Sequence, residues 1–217
     1  MTTIILTSTV NVNPCKSWVF QRDTNHRIET YLKSILQWLT KTNFNIVLVE
    51  NSGYHYNELN NEKKIYKNRF EVITFNEINN KKALYLKTNP SKGASEIFAI
   101  RYAYNHSKLI HACNFIIKIT ARFFIDELEQ YLSLFDLNDY DCLTQQNRDR
   151  CEMVGSHYKH FSDIFNIHLI NDKNKYDGHI ENIWKLRTSK YKKILICKTF
   201  DINETQRGSV KQKYTTI

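Results

Sequence analysis

Short apolar runs of strand length alternate with stretches whose apolar residues recur at helical spacing. No other feature narrows the possible folds of this chain as much. Residues 3–9, 45–50, 70–75 and 193–197 read as strands. After the first, Asp23 or Thr24 caps a helix that puts Ile28, Tyr31, Leu32, Ile35, Leu36 and Leu39 on one face. A polar, helical stretch leads into residue 70. A long helix then runs from the loop Pro90-Ser-Lys-Gly93 to about residue 108, with Ile97, Ile100 and Tyr104 inward. A short helix carries Leu128, Tyr131 and Leu132, and another begins near Gly178. Apolar segments at 142–146 and 153–155 lie between these two. Parallel strands need a crossover, usually a helix, between them. The pattern therefore predicts an α/β three-layer sandwich, a central, mostly parallel sheet of about six strands flanked by helices.

The segment Phe115-Ile-Ile-Lys-Ile-Thr-Ala-Arg-Phe-Phe124 adds chemistry to this frame. Its odd positions are all apolar, while Lys118, Thr120 and Arg122 share the even face. A strand points alternate side chains to opposite faces. Two cations aligned near the end of a buried strand call for an anion, and a phosphate-bearing ligand suits them, since Arg can grip it bidentately. The competing reading is an internal ion pair with Asp126, Glu127 or Glu129.

Composition removes whole classes of function. With 217 residues the chain is expected to form a single domain, alone or within a longer polypeptide. No apolar run reaches the roughly 20 residues that span a bilayer, and the N-terminus lacks the basic region of a signal peptide. Five cysteines without CxxC spacing suggest reduced thiols and a cytoplasmic location. The net charge of +9 favours anionic partners. The charge is scattered, however, and no nucleic-acid-binding motif is visible. No G-x-G-x-x-G follows the first strand and no Walker A loop is present, which argues against dinucleotide dehydrogenases and P-loop kinases.

Ligands of open α/β sheets sit beyond the carboxyl ends of the strands. Thr7, Ser8, Thr9, Glu50, Asn51 and Arg122 all fall at such ends. Four further segments stand out. Ser91-Lys-Gly-Ala-Ser-Glu96 opens a helix, whose free amides attract anions. Its Gly93 would let a ligand approach, and Glu96 would pair with a lysine or bind a sugar hydroxyl. Gly178-His-Ile-Glu-Asn-Ile-Trp-Lys-Leu-Arg187 leaves Glu181 and Arg187 off its apolar stripe; a first-turn carboxylate often only complements the helix dipole. Gln145-Gln-Asn-Arg-Asp-Arg-Cys-Glu152, dense in polar groups, either binds a polyhydroxy ligand or is a solvated loop. Asp139-Tyr-Asp141 is the one literal DxD, able in principle to hold Mg2+ or Mn2+. It precedes a strand rather than follows one.

Taken in order, Ile4-Ile-Leu-Thr-Ser-Thr9, Val49-Glu-Asn-Ser-Gly53, Ser91–Glu96, Ile117-Lys-Ile-Thr-Ala-Arg-Phe-Phe124, Arg150-Cys-Glu-Met-Val-Gly155 and His179-Ile-Glu181 resemble a small GT-A-type glycosyltransferase. More narrowly, the chain resembles those that chloroviruses and related large DNA viruses use to build capsid glycans. The resemblance implies a UDP-sugar donor, a glycan or glycoprotein acceptor and a divalent metal, Mn2+ by preference. Thr7, Ser8 and Thr9 would hold the nucleoside, and Lys92, Lys118, Thr120 and Arg122 the diphosphate. Glu181 falls where inverting enzymes place their general base, with Glu152 as a second catalytic candidate. Gln146, Asp149, Arg150 and His179 would contact the sugar or the acceptor. This chain departs from the family at one place: the metal-binding DxD is expected after the strand that here ends Thr120-Ala-Arg122. Either Arg122 and Lys118 replace the metal as the charge that stabilises the departing diphosphate, or a metal is held mainly by the phosphates and a late residue, with Asp139 and Asp141 as the fallback. The rival functions are a basic nucleic-acid-binding module and a nucleotidyltransferase, though the latter would want a glycine-rich loop after the first strand. The segment from Thr205 would close over the donor or fray.

Overall fold

The computed structural model describes residues 1–145, 152–206, 208 and 210–217. In chain order, β1 (Thr2–Ser8), α1 (Thr24–Lys41), β2 (Asn45–Glu50), α2 (Asn60–Ile65) and β3 (Phe70–Thr74) come first. The helices α3 (Lys92–His106) and α4 (Lys108–His111) precede β4 (Phe115–Thr120). Next are α5 (Leu128–Leu132), β5 (Cys142–Gln145), β6 (Met153–His157), α6 (Phe161–Ile164), α7 (Ile180–Thr188) and β7 (Ile194–Cys197). A separate antiparallel pair, β8 (Asp201–Gln206) and β9 (Lys213–Thr216), follows.

The central sheet has seven strands in the order β3-β2-β1-β4-β6-β5-β7. All run in one direction except β6, which is antiparallel to both its neighbours. The expected three-layer α/β sandwich is thus present, with one strand more than the apolar runs suggested. The apolar segments at 142–146 and 153–155 supply β5 and β6, and β6 slots between β4 and β5. This is the GT-A-like arrangement.

The two faces of the sheet bury two separate cores. On one, Tyr31, Ile35, Trp38 and Leu39 of α1 pack over Ile4, Leu6, Ile46 and Leu48, with Phe115, Ile117 and Ile119 of β4. On the other, Ile97 and Ile100 of α3 and Ile180, Ile183 and Trp184 of α7 cover Ile5, Val47 and Ile116. Period-two alternation in β4 divides its residues between these cores as the sequence predicted. The start of α1 is fixed by Asp23, whose carboxylate accepts from the His26 amide at 2.7 Å. The long helix stops at His106, two residues short of expectation. There the Ser107 hydroxyl accepts the Ile110 amide and starts α4 instead.

β1 lies between β2 and β4, and α1 and α3 leave the sheet on opposite faces. The crevice at such a switch in winding is where this architecture leaves room for a ligand. Among the described residues no helix is long and apolar enough to cross a membrane.

Candidate active site

A pocket of about 860 Å³ opens at the carboxyl ends of β1, β2 and β4, a size that suits a small-molecule ligand. Thr7 and Thr120 are register partners across the β1–β4 seam, and Thr7, Ser8 and Thr9 all line the pocket. A hydrogen-bonded wall extends from them. Thr9 Oγ1 donates to Asn51 Oδ1 at 2.6 Å, and Asn51 Nδ2 donates to Glu77 Oε2 at 3.0 Å. Lys16 Nζ lies 3.4 Å from Glu77 Oε1 and also donates to the Leu86 and Asn89 carbonyls. Arg27 braces the exit of β1, its Nε donating to the Thr9 carbonyl at 2.6 Å and its Nη2 to the Tyr31 hydroxyl at 2.6 Å.

Beneath this wall Glu50 is fully buried and accepts from the backbone amides of Val10, Ser52 and Tyr54 and from the Ser52 hydroxyl. Burial pushes its carboxyl upward, and these hydrogen bonds pull it back in part. Glu50 thus ties the loops after β1 and β2 together and forms no part of the pocket wall. Lys16, Arg27 and Glu77 escaped the sequence reading. They lie in separate polar loops or on a helix face, and only folding brings them to Thr9.

The cations expected at the diphosphate divide. Arg122, just past β4, and Lys92, in the first turn of α3, line the pocket. Lys118 does not. It is fully buried, with Nζ 2.7 Å from Glu96 Oε1, 3.3 Å from Thr120 Oγ1 and 5.1 Å from the Trp184 ring centroid. Thr7 Oγ1 donates to the same Glu96 oxygen at 2.9 Å. The internal-pair reading of Lys118 holds, but with Glu96 rather than a carboxylate of the following loop. Two steps of the pleat separate Lys118 from Thr120, which sets the lysine below the rim where the strand ends. Of the two expectations for Glu96, a lysine partner or a sugar hydroxyl, the structure shows the lysine.

Ser91 caps α3 by accepting the Ala94 amide at 3.1 Å, which orients the helix's N-terminal end, with Gly93 and Ser95, along the pocket. Gly93 serves helix packing. A Cβ there would lie 2.6 Å from the Ile180 Cβ, so the missing side chain lets α3 meet the start of α7. At Gly208 a Cβ would stand 2.8 Å from Arg122 Nη2, which places this glycine directly against that guanidinium.

His179 and Glu181 also line the pocket, His179 flanking α7 and Glu181 half-buried in its first turn. Glu152 joins them; its carbonyl accepts the Thr120 amide at 3.1 Å. Arg187 turns away, and its guanidinium donates to the carbonyls of Ile164, Asn166 and His168. Gln146, Asp149 and Arg150 lie outside the described residues. Of the other site residues that the sequence singled out, Thr7, Ser8, Thr9, Lys92, Thr120, Arg122, Glu152, His179 and Glu181 meet in one pocket.

Asp139 and Asp141 are at the wrong end of the sheet. The Asp141 carbonyl accepts the His157 amide, and His157 pairs with Phe115, the first residue of β4. Most of β4, roughly 17 Å at ~3.3 Å per residue, lies between them and the pocket. Asp141 instead pairs with His160 at 2.9 Å and Lys159 at 3.4 Å. Desolvation raises its carboxyl, but these two partners outweigh that and hold it below the usual value. Among the described residues no cluster of three or more His, Cys, Asp or Glu could hold an ion. Two pocket carboxylates, Glu77 and Glu96, already face lysines. Glu152 and Glu181 are the other carboxylates of the pocket.

The sequence matches no family model and no curated protein. Solved structures do share the fold. The glycosyltransferase GlyE of Streptococcus pneumoniae aligns over 90% of this chain and 44% of its own, at 10% identity and a TM-score of 0.52. TarS of S. aureus aligns over 98% and 59%, at 12% identity and 0.51. The bifunctional glycosyltransferase WbbM aligns over 89% and 38%, at 11% identity and 0.51. The chain therefore spans less than two thirds of the length of each of these three.

Proposed function

We propose that this chain is a nucleotide-sugar-dependent glycosyltransferase that moves a hexose from a UDP-sugar to a hydroxyl of a glycan acceptor. One observation carries the proposal: the hydroxyl wall of Thr7–Thr9, the guanidinium of Arg122 and the carboxylate of Glu181 share one pocket at the β1–β4 switch point.

The nucleoside would lie along Thr7, Ser8, Thr9 and Asn51. Its diphosphate would face Arg122, Lys92 and the N-terminal end of α3. A guanidinium and oriented helix amides, fixed before the reaction, stabilise charge as it develops on the leaving UDP without reorganising. Glu181 would take the proton of the acceptor hydroxyl as its oxygen bonds to the anomeric carbon and the bond to UDP breaks. If configuration is retained, Glu181 orients the acceptor instead. Glu152 and His179 would contact sugar hydroxyls. On the resemblance, the acceptor is a capsid glycan of a large DNA virus, made in the host cytoplasm.

A thermal-shift panel tests the proposal. UDP should raise the melting temperature more than GDP or CMP. Stabilisation by oligonucleotides that fades steeply with salt, with no response to UDP, would favour a nucleic-acid-binding module. Release of pyrophosphate from a nucleoside triphosphate would favour a nucleotidyltransferase.

A further inference from the structure

Trp18 stands on the pocket wall with 79% of its surface exposed. Its φ of 54° lies in the left-handed region, which is strained for a bulky side chain. Such a conformation persists where the surroundings impose it, and it tends to mark functional positions. Here Lys92 Nζ donates to the Trp18 carbonyl at 2.8 Å, and the Ser17 amide donates to the Pro90 carbonyl at 3.0 Å. The fold thus holds its largest side chain open to solvent.

Trp18 is not alone. Tyr176 lines the same pocket and is 57% exposed, and Asn89 Nδ2 donates to its hydroxyl at 3.2 Å. Ser91 donates to the Gly178 carbonyl at 2.6 Å. The 89–92 stretch therefore joins Trp18 and Tyr176 to the wall that carries His179 and Glu181. The same stretch also reaches the groups assigned to the nucleoside, through Lys16 to Glu77 and Asn51.

We propose that Trp18, together with Tyr176, is the platform on which the terminal pyranose of the acceptor glycan stacks. This rests on the glycosyltransferase reading. A pyranose has one face of C–H groups and a rim of hydroxyls. The C–H face packs against the electron-rich face of an aromatic ring. Stacking there would bring the sugar to the wall from which Glu181 takes its proton.

The chain has three tryptophans, and Trp38 and Trp184 are 0% and 2% exposed. Acrylamide quenching of intrinsic fluorescence therefore reports on Trp18. The full chain is titrated with methyl β-D-glucopyranoside, galactopyranoside and xylopyranoside, with UDP alone as a separate arm and calorimetry for UDP binding. One or more glycosides should reduce quenching by about half, and UDP alone should leave it unchanged. Trp18→Ala should raise the acceptor KM about tenfold, roughly 1.4 kcal/mol, at constant UDP affinity, with Trp18→Phe restoring most of it. Shielding by UDP alone would make Trp18 a nucleobase platform and overturn the proposal, as would the absence of shielding by every glycoside. Failure of UDP to bind at all would instead overturn the transferase reading, whatever the glycosides do.

Discussion

Lys118 Nζ lies 2.7 Å from the Glu96 carboxylate, under the pocket floor, and the lysine is 0% exposed. A strand cation that in isolation resembles a phosphate ligand is a structural ion pair joining β4 to α3. Removing one partner of a buried pair leaves the other charge uncompensated. Lys118→Ala should therefore destabilise the fold by about 3 kcal/mol, measured as a shift in the urea midpoint. Lys118→Met, which keeps the volume, should cost less. In variants that still fold, UDP affinity should change less than it does for Arg122→Ala.

Arg122 is the cation placed to meet the diphosphate. Arg122→Ala should weaken UDP binding at least tenfold, about 1.4 kcal/mol, by calorimetry. Arg122→Lys should recover only part, because a point charge does not replace a bidentate fork. An unchanged affinity in a folded variant would remove Arg122 from the donor site.

The metal question can be answered separately. With no carboxylate cluster among the described residues to hold an ion, UDP affinity should fall by less than about tenfold, 1.4 kcal/mol, when EDTA replaces Mn2+. A larger loss would require ligands other than those described.

Glu181→Gln keeps shape and hydrogen bonding but cannot accept the acceptor proton. It should reduce turnover at least about a hundredfold while leaving the UDP dissociation constant near that of the unsubstituted protein. Wild-type turnover would exclude Glu181 from the chemistry.

Asp141 offers a test by pH. Its folded carboxyl is held below the unfolded value by His160 and Lys159. The resulting stability is therefore present above the unfolded value, about pH 4, and is lost as pH falls through the depressed folded value. Asp141→Asn should lower stability at neutral pH and flatten its decline in acid, read from urea midpoints at both ends. The same variant should leave the UDP response to Mn2+ unchanged, since Asp141 is most of a strand length from the pocket.

Much of this was legible in the chain alone. Alternating apolar periods gave the layers, and strand ends named Thr7, Ser8, Thr9 and Arg122, because in a parallel α/β sheet those ends share one edge. Local rules also narrowed the α1 cap to Asp23 or Thr24, and Asp23 fills it. They failed where an effect depends on something distant in sequence. Gly93 lines the pocket as expected but also makes room for Ile180, and the DxD of Asp139 and Asp141, the fallback for a metal, lies at the far end of β4.

Sequence by itself determined which residues alternate, which carry charge and where strands stop, since these are set by covalent order and backbone geometry. Only the tertiary structure decided that Lys118 is sealed against Glu96, that Glu77 and Lys16 complete the wall begun by Thr9 and Asn51, and that Trp18 stays exposed. Burial and pairing depend on which segments meet across the sheet, and segments far apart in the chain meet only when the whole core closes.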